Sequence, residues 1–103
     1  MLAIKPGVDI FGMRPELLLG IFIAERIWAA FGVELVLTSV RDGKHSETSL
    51  HYAGCAADFR TNGIDPDILK EIVRQLKEKL GRDFDVIVEA DHIHIEYQPR
   101  RPV

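Results

Sequence analysis

The feature that most constrains the fold is the strict alternation of polar and apolar residues in His92-Ile93-His94-Ile95-Glu96. Side chains on a β-strand point alternately to its two faces, so the two histidines are expected on one face and the two isoleucines on the other. The isoleucines would pack on a core. The segment therefore predicts a strand that presents two imidazoles on the face opposite the packed one.

A first helix is predicted from Pro15 to about Phe31. Proline suits the first helical position, and Gly32 suits the residue just past the helix end. Apolar residues recur at three- and four-residue steps, which is typical of a buried stripe. The predicted stripe consists of Leu17, Leu18, Ile21, the Ala24/Glu25 turn and Trp28.

A second helix is predicted from Pro66 to Leu80, with Asp65 as its N-terminal cap and Gly81 at its C-terminal end. Its apolar positions also recur with the helical period, while lysine, arginine and glutamate occupy the opposite side. The residues expected to face the core are Ile68, Ile72, Val73, Leu76 and Leu80.

The remaining segments predict strands. Glu34–Val40 is rich in valine and leucine, and Cys55–Thr61 precedes an Asn-Gly turn. Phe84–Val88 and His92–Tyr97 are joined tightly around Glu89-Ala90-Asp91. Helices and strands do not alternate regularly, which favours a small α+β fold with a mainly antiparallel sheet and two main helices.

Composition limits the classes of function. A chain of 103 residues and 11.6 kDa is expected to form a single domain over residues 1–103, with 47% apolar and 28% charged residues. A formal charge of −3 argues against broad nucleic-acid binding. A single cysteine excludes an internal disulfide. The apolar stretch Leu17–Ala24 is too short for a membrane span, and the first residues lack the features of a secretory signal, so cytoplasmic synthesis is expected.

The histidines and carboxylates indicate a metal site. Catalytic zinc takes three protein ligands and leaves a fourth position open. Asp58 lies seven positions after His51, and a turn between them would let both side chains meet. The third ligand would be either His92 or His94, and the other histidine would lie nearby as an acid, a base or a hydrogen-bond donor.

Other residues near these ligands have more ordinary interpretations. Cys55 is expected to point into the core, since free cysteine is usually buried, and the small Ala56 would leave space beside the metal. His45 is expected at the surface. Asp91 and Glu89 are both candidates for the carboxylate that takes a proton from metal-bound water.

The pattern Ser49-x-His51-x-x-Gly54-x-Ala56-x-Asp58, followed by Asp91-x-x-His94, resembles the zinc peptidases that cut cell-wall peptides. These are the D-alanyl-D-alanine carboxypeptidases and dipeptidases and the L-alanyl-D-glutamate endopeptidases of phage endolysins, which share their fold with the hedgehog signalling domain. Thr38–Gly43 also resembles the segment that precedes the motif, and the resemblance extends over roughly Glu34 to Pro99.

The resemblance implies that His51, Asp58 and His94 bind one Zn²⁺. It also implies that Asp91 acts as general base, at a position where the family often has glutamate, and that His92 assists catalysis.

Two further roles follow from the resemblance, and each has a simpler alternative. Arg41 would act near the scissile carbonyl, or it is a surface turn residue. Ser49 would touch substrate, or it only forms a hydrogen bond within its loop.

Glu96 is a candidate for orienting a ligand imidazole, with a plain surface carboxylate as the alternative.

The resemblance implies a zinc-dependent peptidase that hydrolyses peptidoglycan stem peptides and comes from a phage or prophage. Such a protein, favoured as a monomer, would wait in the cytoplasm until a holin opens the membrane. The alternative is a catalytically inactive zinc-containing binding module, or a scaffold of the same fold. The bond that is cut and the physiological metal stay open.

Overall fold

The computed structural model describes residues 1–40 and 55–99, so Arg41, His45, Ser49 and His51 lie outside the described residues. The elements are β1 (Leu2–Ile4), α1 (Pro15–Ala30), β2 (Leu35–Ser39), β3 (Ala56–Arg60), α2 (Pro66–Leu80), β4 (Phe84–Val88) and β5 (His92–Tyr97). The five strands of the described part form one mixed sheet of order β1-β2-β3-β5-β4, in which β1 and β2 are parallel and the other neighbours are antiparallel. This confirms the α+β class.

Helix α2 is confirmed at both of its ends. The Asp65 side chain accepts hydrogen bonds from the backbone N–H of Asp67 at 2.9 Å and of Ile68 at 3.4 Å, which satisfies donors that the first turn leaves unpaired. Gly81 follows the helix with φ +78°, a conformation that favours glycine. Of the predicted core positions, Ile72, Leu76 and Leu80 are buried, and Ile68 and Val73 are partly buried against the core.

Helix α1 also has the predicted bounds, but its predicted buried stripe is wrong at one position. Leu18 is 42% exposed. The helix is apolar on nearly all sides, so side-chain type alone does not identify the buried face. Gly20 lies close to β4, because a Cβ at this position would come within 2.8 Å of the Phe84 ring. The residues that α1 buries are Leu17, Gly20, Ile21, Ala24, Ile27 and Trp28.

Strand β1 was not predicted from the sequence. It pairs in parallel with β2, with Leu2 opposite Leu35 and Ile4 opposite Leu37. The backbone N–H of Lys5 donates to the Leu37 carbonyl at 3.0 Å, which continues this pairing past the end of the strand. The added strand thus brings Lys5 to the edge of the region where the candidate site lies.

The central strands β3 and β5 have one apolar face and one polar face. The apolar face packs against the helices, and Phe59 lies edge-on to Trp28 with ring centroids 5.7 Å apart. Cys55, which we expected in the core, precedes β3 and is only half-buried. Among the described residues, no helix is long and apolar enough to cross a membrane. The buried residues of the apolar face are Ala57, Phe59, Ile93 and Ile95.

Candidate metal centre

The centre of the candidate site is a pair of side chains on neighbouring strands. Asp58 on β3 lies directly opposite His94 on β5 in the antiparallel register. Residues opposite each other in such a pair point to the same face of the sheet. The Asp58 Oδ1 atom is 2.8 Å from His94 Nδ1, and each side chain is only 14% exposed. The register, rather than a loop, therefore brings together two of the three predicted zinc ligands.

A second carboxylate holds the other side of the His94 ring. Glu96 follows on the same face of β5, and its Oε1 is 2.7 Å from His94 Nε2. Burial of the ring is the largest single influence on the His94 pKa and lowers it. The hydrogen bonds and charges of Asp58 and Glu96 together outweigh burial, so the His94 pKa lies above its ordinary value.

The Asp58–His94 pair fits the ligand requirements of zinc. Two ligands of a tetrahedral zinc ion, each about 2.0–2.1 Å from the metal, are about 3.3 Å apart. The 2.8 Å between Asp58 Oδ1 and His94 Nδ1 would need to widen by only about 0.5 Å. With Nε2 donating to Glu96, Nδ1 keeps its lone pair for a metal.

A metal centre here needs a ligand from another segment. Within residues 1–40 and 55–99, no group of three histidine, cysteine or acidic side chains is arranged to hold a metal ion. The third side-chain ligand of such a centre is therefore expected from residues 41–54, because residues 100–103 include no histidine, cysteine or acidic side chain. His51, the third ligand that the sequence predicts, lies in this segment.

Next to this pair, Asp91 and His92 form a hydrogen-bonded unit. His92 Nδ1 is 2.6 Å from Asp91 Oδ1, and His92 Nε2 lies 3.9 Å from Asp58 Oδ1. The hydrogen bond from His92 is the main cause that lowers the pKa of the Asp91 carboxyl below its usual range. The Thr61 N–H donates to the Asp91 carbonyl at 3.1 Å and fixes the backbone of this unit to the end of β3.

The positions of Asp91 and Glu89 differ in a way that bears on the choice of base. Asp91 lines a cleft of about 170 Å³ that also contains Asp58 and His92. Glu89 is exposed and does not line that cleft, and its backbone N–H closes the β4–β5 hairpin by donating to the His92 carbonyl at 2.9 Å. The geometry favours Asp91 as the acidic group beside the metal ligands.

The cleft also contains residues that sequence reasoning did not identify as part of a site. Thr38 donates its hydroxyl hydrogen to the Asp58 carbonyl at 3.2 Å, at an irregularity where two β2 residues face one β3 residue. Arg60 follows Asp58 by two positions, so strand alternation was a signal that could have placed it on the same face. No comparable signal marked Lys5. The additional lining residues are Lys5, Thr38, Arg60 and Asn62.

Comparison of the chain with protein-family models and with curated proteins finds no match. Arg41, Ser49 and His51 lie outside the described residues, so the roles expected of them stay predictions.

Proposed function

We propose that this chain is a zinc-dependent peptidase that hydrolyses peptide bonds in the stem peptides of bacterial peptidoglycan, like the phage and prophage endolysins that it resembles. The observation that supports this most is the approach of Asp58 Oδ1 and His94 Nδ1 to 2.8 Å. An imidazole and a carboxylate are both common zinc ligands. His51 is the third ligand in this proposal.

The residues around these ligands would orient them. Glu96 accepts a hydrogen bond from His94 and thereby fixes the tautomer and the plane of its ring. Zinc, when bound, would supply a Lewis acid and a water molecule with a pKa of about 7. The chain itself would supply the proton acceptor and the groups that hold the peptide.

Asp91 is the proposed general base. The Asp91 carboxylate lines the cleft beside Asp58 and His92 and is ionised at neutral pH, so it is able to accept a proton there. His92 occupies Asp91 Oδ1, so Oδ2 is the oxygen that takes the proton from water in the cleft. A protonated His92 would donate from Nε2 to the oxygen of the peptide carbonyl, a contact of the kind that contributes about 3–4 kcal/mol in other hydrolases. Arg41 and Ser49 are proposed to contact the substrate.

The direct test incubates purified peptidoglycan with the protein and measures newly released amino termini. We expect release with the zinc-loaded protein and none after chelation, with recovery when zinc is added back. Identification of the new termini also shows which bond is cut. A protein that binds one zinc per chain but releases no termini is a binding module without turnover, and this result would refute the proposed activity.

The assignment of the base is tested with a matched pair of variants. Asp91→Asn removes the proton acceptor, and we expect a loss of about 10²-fold or more in rate, with zinc content unchanged. Glu89→Gln removes the neighbouring carboxylate outside the cleft and should cut at the parental rate. An Asp91→Asn protein that cuts as fast as the parent would exclude Asp91 as the base.

A further inference from the structure

The cleft beside the proposed metal centre contains two cations that the proposed mechanism does not use. Lys5 lines it from the end of β1 and Arg60 from the end of β3, and Asn62 is a further polar residue of its lining. We propose that Lys5, Arg60 and Asn62 form a subsite for a carboxylate, and that the protein therefore selects peptides with a free carboxylate next to the scissile bond. This inference rests on the proposed function of the same site.

The charges in the cleft support an external anion. Asp58 is hydrogen-bonded to His94 and Asp91 to His92, so each carboxylate of the cleft already has a cationic or hydrogen-bonding partner. Neither Lys5 nor Arg60 makes a side-chain ion pair within the described ranges 1–40 and 55–99. Two cations that have no ion-pair partner among the described residues are available to bind an anion from outside.

The position of Arg60 indicates where that anion would lie. Arg60 is two residues beyond Asp58 on one face of β3, about 7 Å along the strand, and it lies opposite His92 in the register. An extended peptide covers about 3.3 Å per residue, so the distance from Asp58 to Arg60 along β3 corresponds to about two residues of a bound peptide. The arginine side chain can reach back towards Asp58, which shortens the distance that the peptide needs to cover. The bound carboxylate would thus belong to a residue adjoining the scissile carbonyl.

Lys5 approaches the same region from the other side. The parallel pairing of β1 with β2 aligns Lys5 with Thr38, and Asp58 on β3 is two strands away from Lys5. Strands are spaced about 4.8 Å apart, so Lys5 lies about 10 Å from the Asp58 backbone, within reach of the cleft for a four-carbon side chain. Arginine binds carboxylates through paired N–H donors, and lysine and asparagine add further donors.

Stem peptides offer two carboxylates of this kind. One is the α-carboxylate at the C-terminus of the peptide, and the other is the α-carboxylate of a γ-linked D-glutamate. Both have the chemistry that the subsite requires. The experiment is therefore designed to distinguish between them.

The test uses the zinc-loaded full chain and the peptide L-Ala-γ-D-Glu-L-Lys-D-Ala-D-Ala, made uncleavable by N-methylation of its L-Ala–D-Glu and D-Ala–D-Ala bonds. Two analogues carry an amide in place of the D-Glu α-carboxylate or of the C-terminal carboxylate. Isothermal titration gives the Kd of each peptide for the parent and for Arg60→Gln, Lys5→Gln and Arg60→Lys. Lys70→Gln, which removes an exposed cation from α2, is the matched control.

We expect Arg60→Gln to weaken binding of the free peptide by about 10-fold or more, because a hydrogen-bonded charge is lost, with a smaller loss for Lys5→Gln. Amidation of one of the two carboxylates should weaken binding to the parent by a similar factor. Arg60→Gln should then cause no further loss of affinity for that amidated peptide. The analogue that behaves in this way identifies the carboxylate that is bound. Arg60→Lys should recover part of the affinity, and Lys70→Gln should bind like the parent.

The subsite is refuted if the parent does not bind the peptide that has both free carboxylates. It is also refuted if Arg60→Gln and Lys5→Gln show the same ratio of affinities for the free and the amidated peptides as the parent does. This outcome is separable from failure of the proposed function. Binding with the expected selectivity but without release of amino termini from peptidoglycan would refute the peptidase and keep the subsite. Release of termini without the selectivity would refute the subsite alone.

Discussion

The two faces of β3 and β5 use the same backbone for opposite purposes. On the helix side, Phe59 and Ile93 are fully buried in the core. On the other side, Asp58 and His94 are largely shielded from solvent yet remain polar and hydrogen-bonded to each other. The core fixes the register of the two strands, and the register fixes the distance between the proposed zinc ligands. Rigid strands are well suited to hold such a pair in place.

The largest effect is expected from breaking the apolar face. Phe59→Ala removes a fully buried ring that packs edge-on against Trp28, and should lower the free energy of unfolding by about 3–5 kcal/mol. Ile87→Ala alters the polar side of β4, where the side chain is 41% exposed, and should cost less than about 1 kcal/mol. Denaturant titration measures both. Equal losses would show that the two faces do not differ in their contribution to stability.

A change on the polar face should separate function from fold. Asp58→Asn keeps the shape of the side chain but removes the charge of a proposed zinc ligand. We expect a loss of more than about 10²-fold in activity, since removal of a group that only orients a ligand already costs 10- to 100-fold. Far-UV circular dichroism should stay unchanged. Asp85→Asn, on the same face of β4, is the control, and a zinc-loaded Asp58→Asn protein with parental activity would contradict the assignment.

The orienting role of Glu96 predicts a smaller effect. Glu96→Gln weakens the acceptor for His94 Nε2 and should reduce zinc affinity by about 10- to 100-fold. Competition with a chelator of known affinity measures the change. Glu34→Gln, an exposed carboxylate before β2, should leave zinc affinity as in the parent. If both variants bind zinc equally well, Glu96 is a plain surface carboxylate.

The smallest effect is a pH dependence of the metal-free protein. The folded state raises the His94 pKa, so protonation stabilises the fold below about pH 6.5, the ordinary histidine pKa. This contribution is lost as the pH rises through the higher pKa of the folded state. It is small because burial of the ring offsets much of the gain from the two carboxylates. With chelator present, the parent should lose stability over this interval relative to His94→Gln.

Zinc should reverse this trend, because the metal competes with the proton for His94. The stability of the zinc-loaded parent relative to His94→Gln should therefore increase over the same pH interval. Thermal unfolding with chelator and with excess zinc checks both signs. Identical pH profiles for the parent and the variant in chelator would show that the His94 pKa is not raised in the fold.

Much of the fold was predictable because its signals are local. Asp65 and Gly81 mark the ends of α2, and the turn between β4 and β5 lies between two short apolar strands. Strand β1 was missed because Leu2–Ile4 has only three residues and becomes a strand by pairing with β2. Leu18 was misplaced because α1 is apolar on almost every side.

The candidate site was predictable in its residue types but not in its pairing. Alternation placed His92 and His94 on one face of β5, and either one was a candidate partner for Asp58. The choice depends on the register, since a shift of two residues would put His92 opposite Asp58 instead. Lys5 was not predictable, because it reaches the cleft through contacts between segments that are distant in the sequence.

The central claim is that Asp58 and His94 bind one zinc ion together with a histidine from residues 41–54. The most direct measurement is the zinc content of the parent and of His51→Ala after equilibrium dialysis against free zinc at a concentration that saturates the parent. The account predicts about one zinc per chain for the parent and almost none for His51→Ala, with both proteins folded. A parent without zinc, or a His51→Ala protein with the same zinc content and affinity, would contradict it.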